Sequence, residues 1–81
     1  MKLFYVYRIQ SIKHPDKIYT GFSEDFESRL KSHNEGKNRY TNTFRPWRLL
    51  NLICFTEELK AKRFEAYLKS GSGRAFSKRH F

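Results

Sequence analysis

Two tyrosines, an arginine, a histidine and one isolated glutamate are the side chains of this sequence whose types and spacing could carry chemistry. Tyr7 closes the triplet Tyr5-Val6-Tyr7, Tyr19 opens the triplet Tyr19-Thr20-Gly21, and eleven residues, 8–18, separate the two. Arg29 and His33 follow at i,i+4, which on a helix places them one turn apart on the same face. Arginine keeps its charge at any working pH and its planar fork matches a phosphate group, while a phenol and an imidazole can pass protons. Glu65 stands alone as an acid among Lys60, Lys62, Arg63, Lys69, Arg74, Lys78 and Arg79. A carboxylate in a segment facing polyanions weakens binding unless a cation lies between, which points to a metal-binding role for Glu65.

The charge names the partner class. The chain has 81 residues with 17 Lys and Arg against 8 Asp and Glu, a formal net charge of +9, and this favours polyanions, nucleic acid first. Residues 1–59 hold ten bases and seven acids, whereas residues 60–81 hold seven bases and one acid, so two thirds of the excess lies in the C-terminal quarter. Length alone predicts one small domain over residues 1–81. Aromatic residues make up 17% of the chain, enough bulky material for a core and against wholesale disorder. No apolar run reaches the roughly 18 to 20 residues a bilayer crossing needs, and Met1-Lys2 leads straight into a strand-like segment. A soluble cytoplasmic protein without membrane contact is expected. The single cysteine, Cys54, excludes an internal disulfide and a multi-thiolate zinc site, and its apolar neighbours place it in the core.

The elements that must position these residues follow from pattern. Residues 3–10, rich in aromatic and β-branched types, read as a strand; His14-Pro15-Asp16 marks a turn; residues 18–22 read as the antiparallel partner strand of a hairpin. Ser23 as N-cap with Glu24 and Asp25 behind it opens a helix over 24–34, ended by Asn34-Glu35-Gly36. Residues 36–46 lack an apolar period and read as a mobile basic loop. The most hydrophobic stretch, Trp47 to Phe55, is expected as a third strand at the sheet centre or backed on both faces. Thr56 caps a second helix with its stripe at Ala61, Phe64 and Leu68, stopped by Gly71-Ser72-Gly73, and the tail 74–81 adds one short turn carrying Phe76 inward. The order β-β-α-β-α is an α+β fold, a three-stranded antiparallel sheet with flanking helices.

The two triplets, the helix with Arg29 and His33, then Arg45-Pro46-Trp47 and Arg63-Phe64-Glu65-Ala66-Tyr67-Leu68-Lys69-Ser70-Gly71, resemble in their order the GIY-YIG nuclease superfamily. The resemblance is to the small stand-alone members, which are similar to the nuclease domain of the excinuclease C subunit, and it covers nearly the whole chain. The first triplet reads Tyr-Val-Tyr for Gly-Ile-Tyr and the second Tyr-Thr-Gly for Tyr-Ile-Gly.

The resemblance implies a metal-dependent endonuclease hydrolysing phosphodiester bonds in DNA. Tyr7 would accept a proton from the attacking water, with Arg29 and His33 as the cations that lower its pKa. Tyr19 would orient water or phosphate, Arg29 would clamp phosphate, and His33 would bond the tyrosine or relay its proton. Glu65 would hold one Mg²⁺ (or Mn²⁺). The family's asparagine downstream of the glutamate has no counterpart, since no Asn follows Asn51; Ser72 and Arg74 are the candidates for its place. Lys37, Arg39, Arg45, Arg48, Lys69, Arg74, Lys78 and Arg79 are the expected contacts to nucleic acid, DNA rather than RNA, worth affinity and salt dependence but not sequence readout. Target selection would come from residues 37–48, the tail or a partner protein.

Each assignment has an ordinary competitor. The tyrosines could be hairpin packing residues, Arg29 the i+4 partner of Asp25, His33 a core-edge histidine, and Glu65 an i,i+4 partner of Lys69. The alternatives for the whole chain are a non-catalytic basic nucleic-acid-binding module on the same scaffold and a ribosome-associated structural protein.

Overall fold

A computed structural model describes all residues, 1–81. It contains β1 (Phe4–Ser11), β2 (Ile18–Ser23), α1 (Phe26–Asn34), α2 (Arg39–Thr43), β3 (Trp47–Phe55), α3 (Glu58–Lys69) and α4 (Gly71–His80). The three strands form one antiparallel sheet in the order β2-β1-β3, the α+β arrangement expected from the sequence. No helix is long and apolar enough to cross a membrane.

The central strand is β1, not β3. Its alternate side chains feed two cores, one on each face of the sheet. Phe4 and Val6 pack with Ala61 and Leu68 of α3, joined by Phe22, Phe55, Phe64 and Phe76. Tyr7 and Ile9 pack on the other face with Trp47, joined by Tyr19, Phe26, Leu30, Phe44 and Leu49. β3 is an edge strand with a register irregularity opposite Arg8 and Ile9, where Asn51 and Leu49 become successive partners. Leu52 and Cys54 pair with Tyr7 and Tyr5 on the α1 side, but both are exposed because the helical layer does not cover that end of β3. Cys54 is therefore a surface residue, and the apolar run of β3 reflects one covered face and a partly open one.

Four boundaries differ from the sequence reading. Asp25, not Ser23, caps α1, accepting from the Ser28 amide at 3.2 Å, while Ser23 ends β2 and its Oγ accepts from the Asp25 amide at 2.9 Å. The stretch 36–46 is not a free loop: Asn38 Oδ1 accepts from the Tyr40 and Thr41 amides at 2.9 and 3.1 Å and nucleates α2, whose Thr41 is fully buried. The tail is a ten-residue helix. Ser70 ends α3 and caps α4, accepting from the Gly73 amide at 3.1 Å, so the Gly-Ser-Gly stretch starts a helix where it was expected to stop one. Phe76 does turn inward, onto Phe64. At the start of α3, Glu57 holds the cap position without a side-chain bond, in place of Thr56.

Candidate active site

Strand register brings the two tyrosines together. Tyr7 lies opposite Gly21 and Ile9 opposite Tyr19, so Tyr7 and Tyr19 are diagonal neighbours on one face, with ring centroids 6.3 Å apart. The missing side chain of Gly21 makes room for Tyr7: a Cβ there would collide with Cζ and Oη of the tyrosine ring. The phenol thus reaches across β2 toward the sheet's free edge.

His33 meets Tyr7 from the helical layer. The hydroxyl of Tyr7 and Nε2 of His33 are 3.0 Å apart, and the histidine's other nitrogen, Nδ1, is 2.8 Å from Thr41 Oγ1. All three residues are buried, at 3%, 2% and 0% exposure. The Thr41 hydroxyl can reach the Asn38 carbonyl at 3.4 Å, which leaves its lone pair for a proton on Nδ1 and makes Nε2 the acceptor of the Tyr7 proton. That tautomer is assigned from the bonding partners. Thr41 is itself held by the Trp47 indole, whose Nε1 donates to the Thr41 carbonyl at 2.7 Å. Asn34 completes the frame, its amide accepting from the Trp47 backbone at 2.6 Å and donating to it at 3.2 Å.

The electrostatics run against the expectation that neighbouring cations lower the pKa of Tyr7. Burial pushes it up to about 12, helped by Tyr19 and Glu65, while Arg29 pulls in the opposite direction without winning. His33 is held below its ordinary value by burial and then by the Arg29 charge. At neutral pH the pair is therefore a neutral phenol bonded to a neutral imidazole. The charges of Arg29 on α1 and Glu65 on α3 both act on the Tyr7 phenol, in opposite directions.

Arg29 is exposed and has no carboxylate within ion-pair distance; Asp25 is committed to the helix cap. The same holds for all eight arginines, since every one of the six ion pairs uses a lysine. Glu65 does pair with Lys69, at 3.1 Å, with 22% of its side chain exposed.

No group of three or more His, Cys, Asp or Glu side chains is gathered anywhere in the chain. A lone carboxylate of this kind does not make a closed protein cage. Its chemistry fits a hard divalent ion that keeps much of its water and takes further oxygens from substrate phosphates.

The expected nucleic-acid contacts divide into groups. Lys69, Arg74 and Lys78 converge on a groove of about 880 Å³ that Tyr19 and Tyr40 also line. Lys37 pairs with Glu35 at 3.5 Å, Arg39 and Arg45 are exposed on and after α2, and Arg48 is tied to Gln10 Oε1 at 2.6 and 3.1 Å. Arg79 lines a separate depression on α4 with Ser72, so of the two candidates for the absent asparagine's place only Arg74 faces the groove.

Comparison with known proteins fits this geometry: the model of the GIY-YIG catalytic domain matches residues 3–79. The chain belongs to the GIY-YIG family. It is 34% identical over 73 residues to a UPF0213 protein of Staphylococcus haemolyticus, covering 89% of this chain and 87% of that one. It is 38% identical over 53 residues to a UPF0213 protein of Bacillus licheniformis, covering 64% of this chain and 55% of the relative. The chain thus matches little more than half the length of that second relative. Within this GIY-YIG domain, Thr41 and Arg8 are the residues that the sequence reading passed over. Thr41 lies in a polar stretch without period, and its one legible signal was Asn38, a cap residue three positions ahead.

Proposed function

We propose that this GIY-YIG domain, residues 1–81, is a metal-dependent endonuclease that hydrolyses phosphodiester bonds in DNA. The observation that carries the reading is the buried chain Tyr7–His33–Thr41, whose phenol feels the charges of both Arg29 and Glu65. Packing alone does not need such a chain, because a buried phenylalanine and leucine would fill the same space without three polar groups to satisfy.

In this mechanism Arg29 binds the scissile phosphate with its fork and neutralises charge on the transferring group. A water beside Tyr7 gives its proton to the phenol oxygen as the phenol passes its own to His33 Nε2. The raised pKa of Tyr7 suits this exchange: the phenol is never an isolated phenolate, and its oxygen gains basicity only as its proton leaves for the imidazole. Thr41 keeps the Nδ1 proton in place, so that Nε2 is the free acceptor. Tyr19 aligns water or phosphate with its hydroxyl. Glu65 would hold Mg²⁺ or Mn²⁺, displacing Lys69, and the ion would supply Lewis-acid stabilisation of the developing charge.

The test is cleavage of fluorescent single-stranded, duplex, branched and nicked DNA, with RNA alongside, in Mg²⁺ or EDTA, for the wild type and Glu65→Gln. The expected result is metal-dependent DNA products that disappear in the variant while binding is kept or improved. Tight salt-sensitive binding without products under any divalent metal would overturn the enzyme in favour of a binding module.

A further inference from the structure

Arg8 is a cation without a counter-ion in a place where charge is costly. It is 9% exposed, yet no carboxylate lies within ion-pair distance. Its one side-chain partner is the neutral Asn51, whose Oδ1 accepts from Nη1 at 2.6 Å, and its guanidinium lies 5.2 Å from the centre of the Phe81 ring. A guanidinium carries five N–H donors in a fixed fork, so most of them are left for another acceptor. None is a sealed orphan, because no buried side-chain donor lacks a partner. They open instead onto the groove of about 880 Å³, which Arg8 lines together with Lys69, Arg74 and Lys78 against a single acid, Asp16.

The position of the groove relative to Tyr7 follows from strand geometry. Tyr7 and Arg8 are successive residues of β1, so their side chains leave opposite faces of the sheet. Tyr7 packs in the Trp47 core and Arg8 faces Phe81 beyond α4. The groove wraps the outer edge of β2: Ile18 and Thr20 lie on the Arg8 face, and Tyr19, whose ring lies tilted against His33 with centroids 4.9 Å apart, lies on the Tyr7 face. Tyr19 thus links the groove to the Tyr7 face at the free edge of β2.

We infer that this groove is a second phosphate-binding site, in which Arg8, Arg74 and Lys78 hold a backbone phosphate of the DNA strand whose neighbouring segment lies at Tyr7. The inference rests on the reading of this chain as a DNA-handling protein and adds to it a residue and a strand path. Arg8 is the built part of the site: its fork is fixed by Asn51 and Phe81 before the phosphate arrives, which lowers the ordering cost of binding. Arg74 and Lys78, both exposed on α4, complete it from above.

The experiment measures binding of a short fluorescent DNA duplex in EDTA across a salt series, for wild type, Arg8→Gln, Arg8→Lys and the doubly substituted Arg74→Gln, Lys78→Gln. Arg8→Gln should weaken binding about tenfold and reduce the slope of log affinity against log salt by about 0.9, the loss of one phosphate contact. Arg8→Lys should restore the slope and recover only part of the affinity, since it keeps the charge but not the fork. An unchanged slope and affinity in Arg8→Gln, with or without a lower melting temperature, would overturn the inference by leaving Arg8 a purely structural cation. If Arg8→Gln does not fold, the surface double variant decides: wild-type binding by that protein overturns the site. Loss of binding in these variants, together with absence of cleavage by the wild type in Mg²⁺, supports the groove while refuting the nuclease. Cleavage by the wild type with undiminished binding by the variants refutes only the groove.

Discussion

The Nδ1 atom of His33 lies 2.8 Å from the hydroxyl of Thr41, a residue eight positions along the chain and wholly buried beneath the Trp47 indole. This contact sets which nitrogen of the imidazole faces Tyr7 with a lone pair. In a site where Tyr7 is a neutral phenol, the direction of that lone pair decides whether the phenol can give up its proton as it receives another.

Thr41→Val is therefore expected to reduce DNA cleavage by up to about 100-fold, through a misdirected imidazole, while leaving DNA affinity in EDTA unchanged. It should also cost about 1 to 3 kcal/mol in stability, because the Nδ1 proton of His33 loses its buried acceptor. Thr41→Ser restores the hydroxyl and should restore most of the cleavage. Single-turnover rates at saturating enzyme, with urea melts of the same proteins, check both halves. Full activity in Thr41→Val would remove threonine from the relay.

Gly21→Ala places a methyl group where the Tyr7 ring now lies. The ring must shift or β2 must move outward, at a cost of about 1 to 3 kcal/mol for overpacking. Cleavage should fall more than DNA binding, since Arg29 and the basic groove are not displaced by a change under Tyr7. Thermal melts, cleavage rates and anisotropy on the same preparation separate the effects, and equal loss of cleavage and binding would contradict this account.

Tyr7 should ionise above the ordinary range of a tyrosine. Its pKa is pushed up to about 12 by burial, against about 10 in an unfolded chain. The folded state thus holds the phenolic proton more tightly than the unfolded state does. The stability associated with it is full below pH 10 and is lost as pH rises from about 10 toward 12. An absorbance titration of wild type against Tyr7→Phe should yield a difference curve for one phenol centred well above 10. A difference curve centred at or below 10 would deny the burial effect.

His33 produces the opposite dependence in the acid range. Its folded pKa lies below the ordinary 6.5, because burial and Arg29 both disfavour the imidazolium. The unfolded chain therefore binds the proton first as pH falls, and stability declines with falling pH from about 6.5 until the folded-state value is passed. Urea denaturation on either side of this window should show that decline in wild type and a shallower one in His33→Gln. An equally steep decline in both would assign it to other groups.

The sequence carried much of the local structure. The hairpin pattern at residues 3–22 and the i,i+4 spacing of Arg29 and His33 survive in the fold, because strand alternation and helical period are set by neighbours a few residues apart. Asn38 was legible only in hindsight. Its cap function depends on Tyr40 and Thr41 being helical, and a five-residue helix has too little period to announce itself.

By itself, then, the sequence determined the chemical inventory: two tyrosines at strand spacing, an arginine and a histidine on one helix face, one acid in a basic segment, and the family that this order belongs to. Tertiary structure alone decided three things. It made β1 the central strand, because only β1 supplies buried apolar and aromatic side chains to the cores on both faces. It joined Thr41 to His33 and Tyr7, residues from α2, α1 and β1 that no local pattern connects. It buried most of Arg8 without giving it an acid, by bringing the Phe81 ring that follows α4 over a strand residue whose neighbour, Tyr7, points the other way. Each of these depends on contacts between elements distant in the chain, where packing and desolvation outweigh the preferences of neighbouring residues.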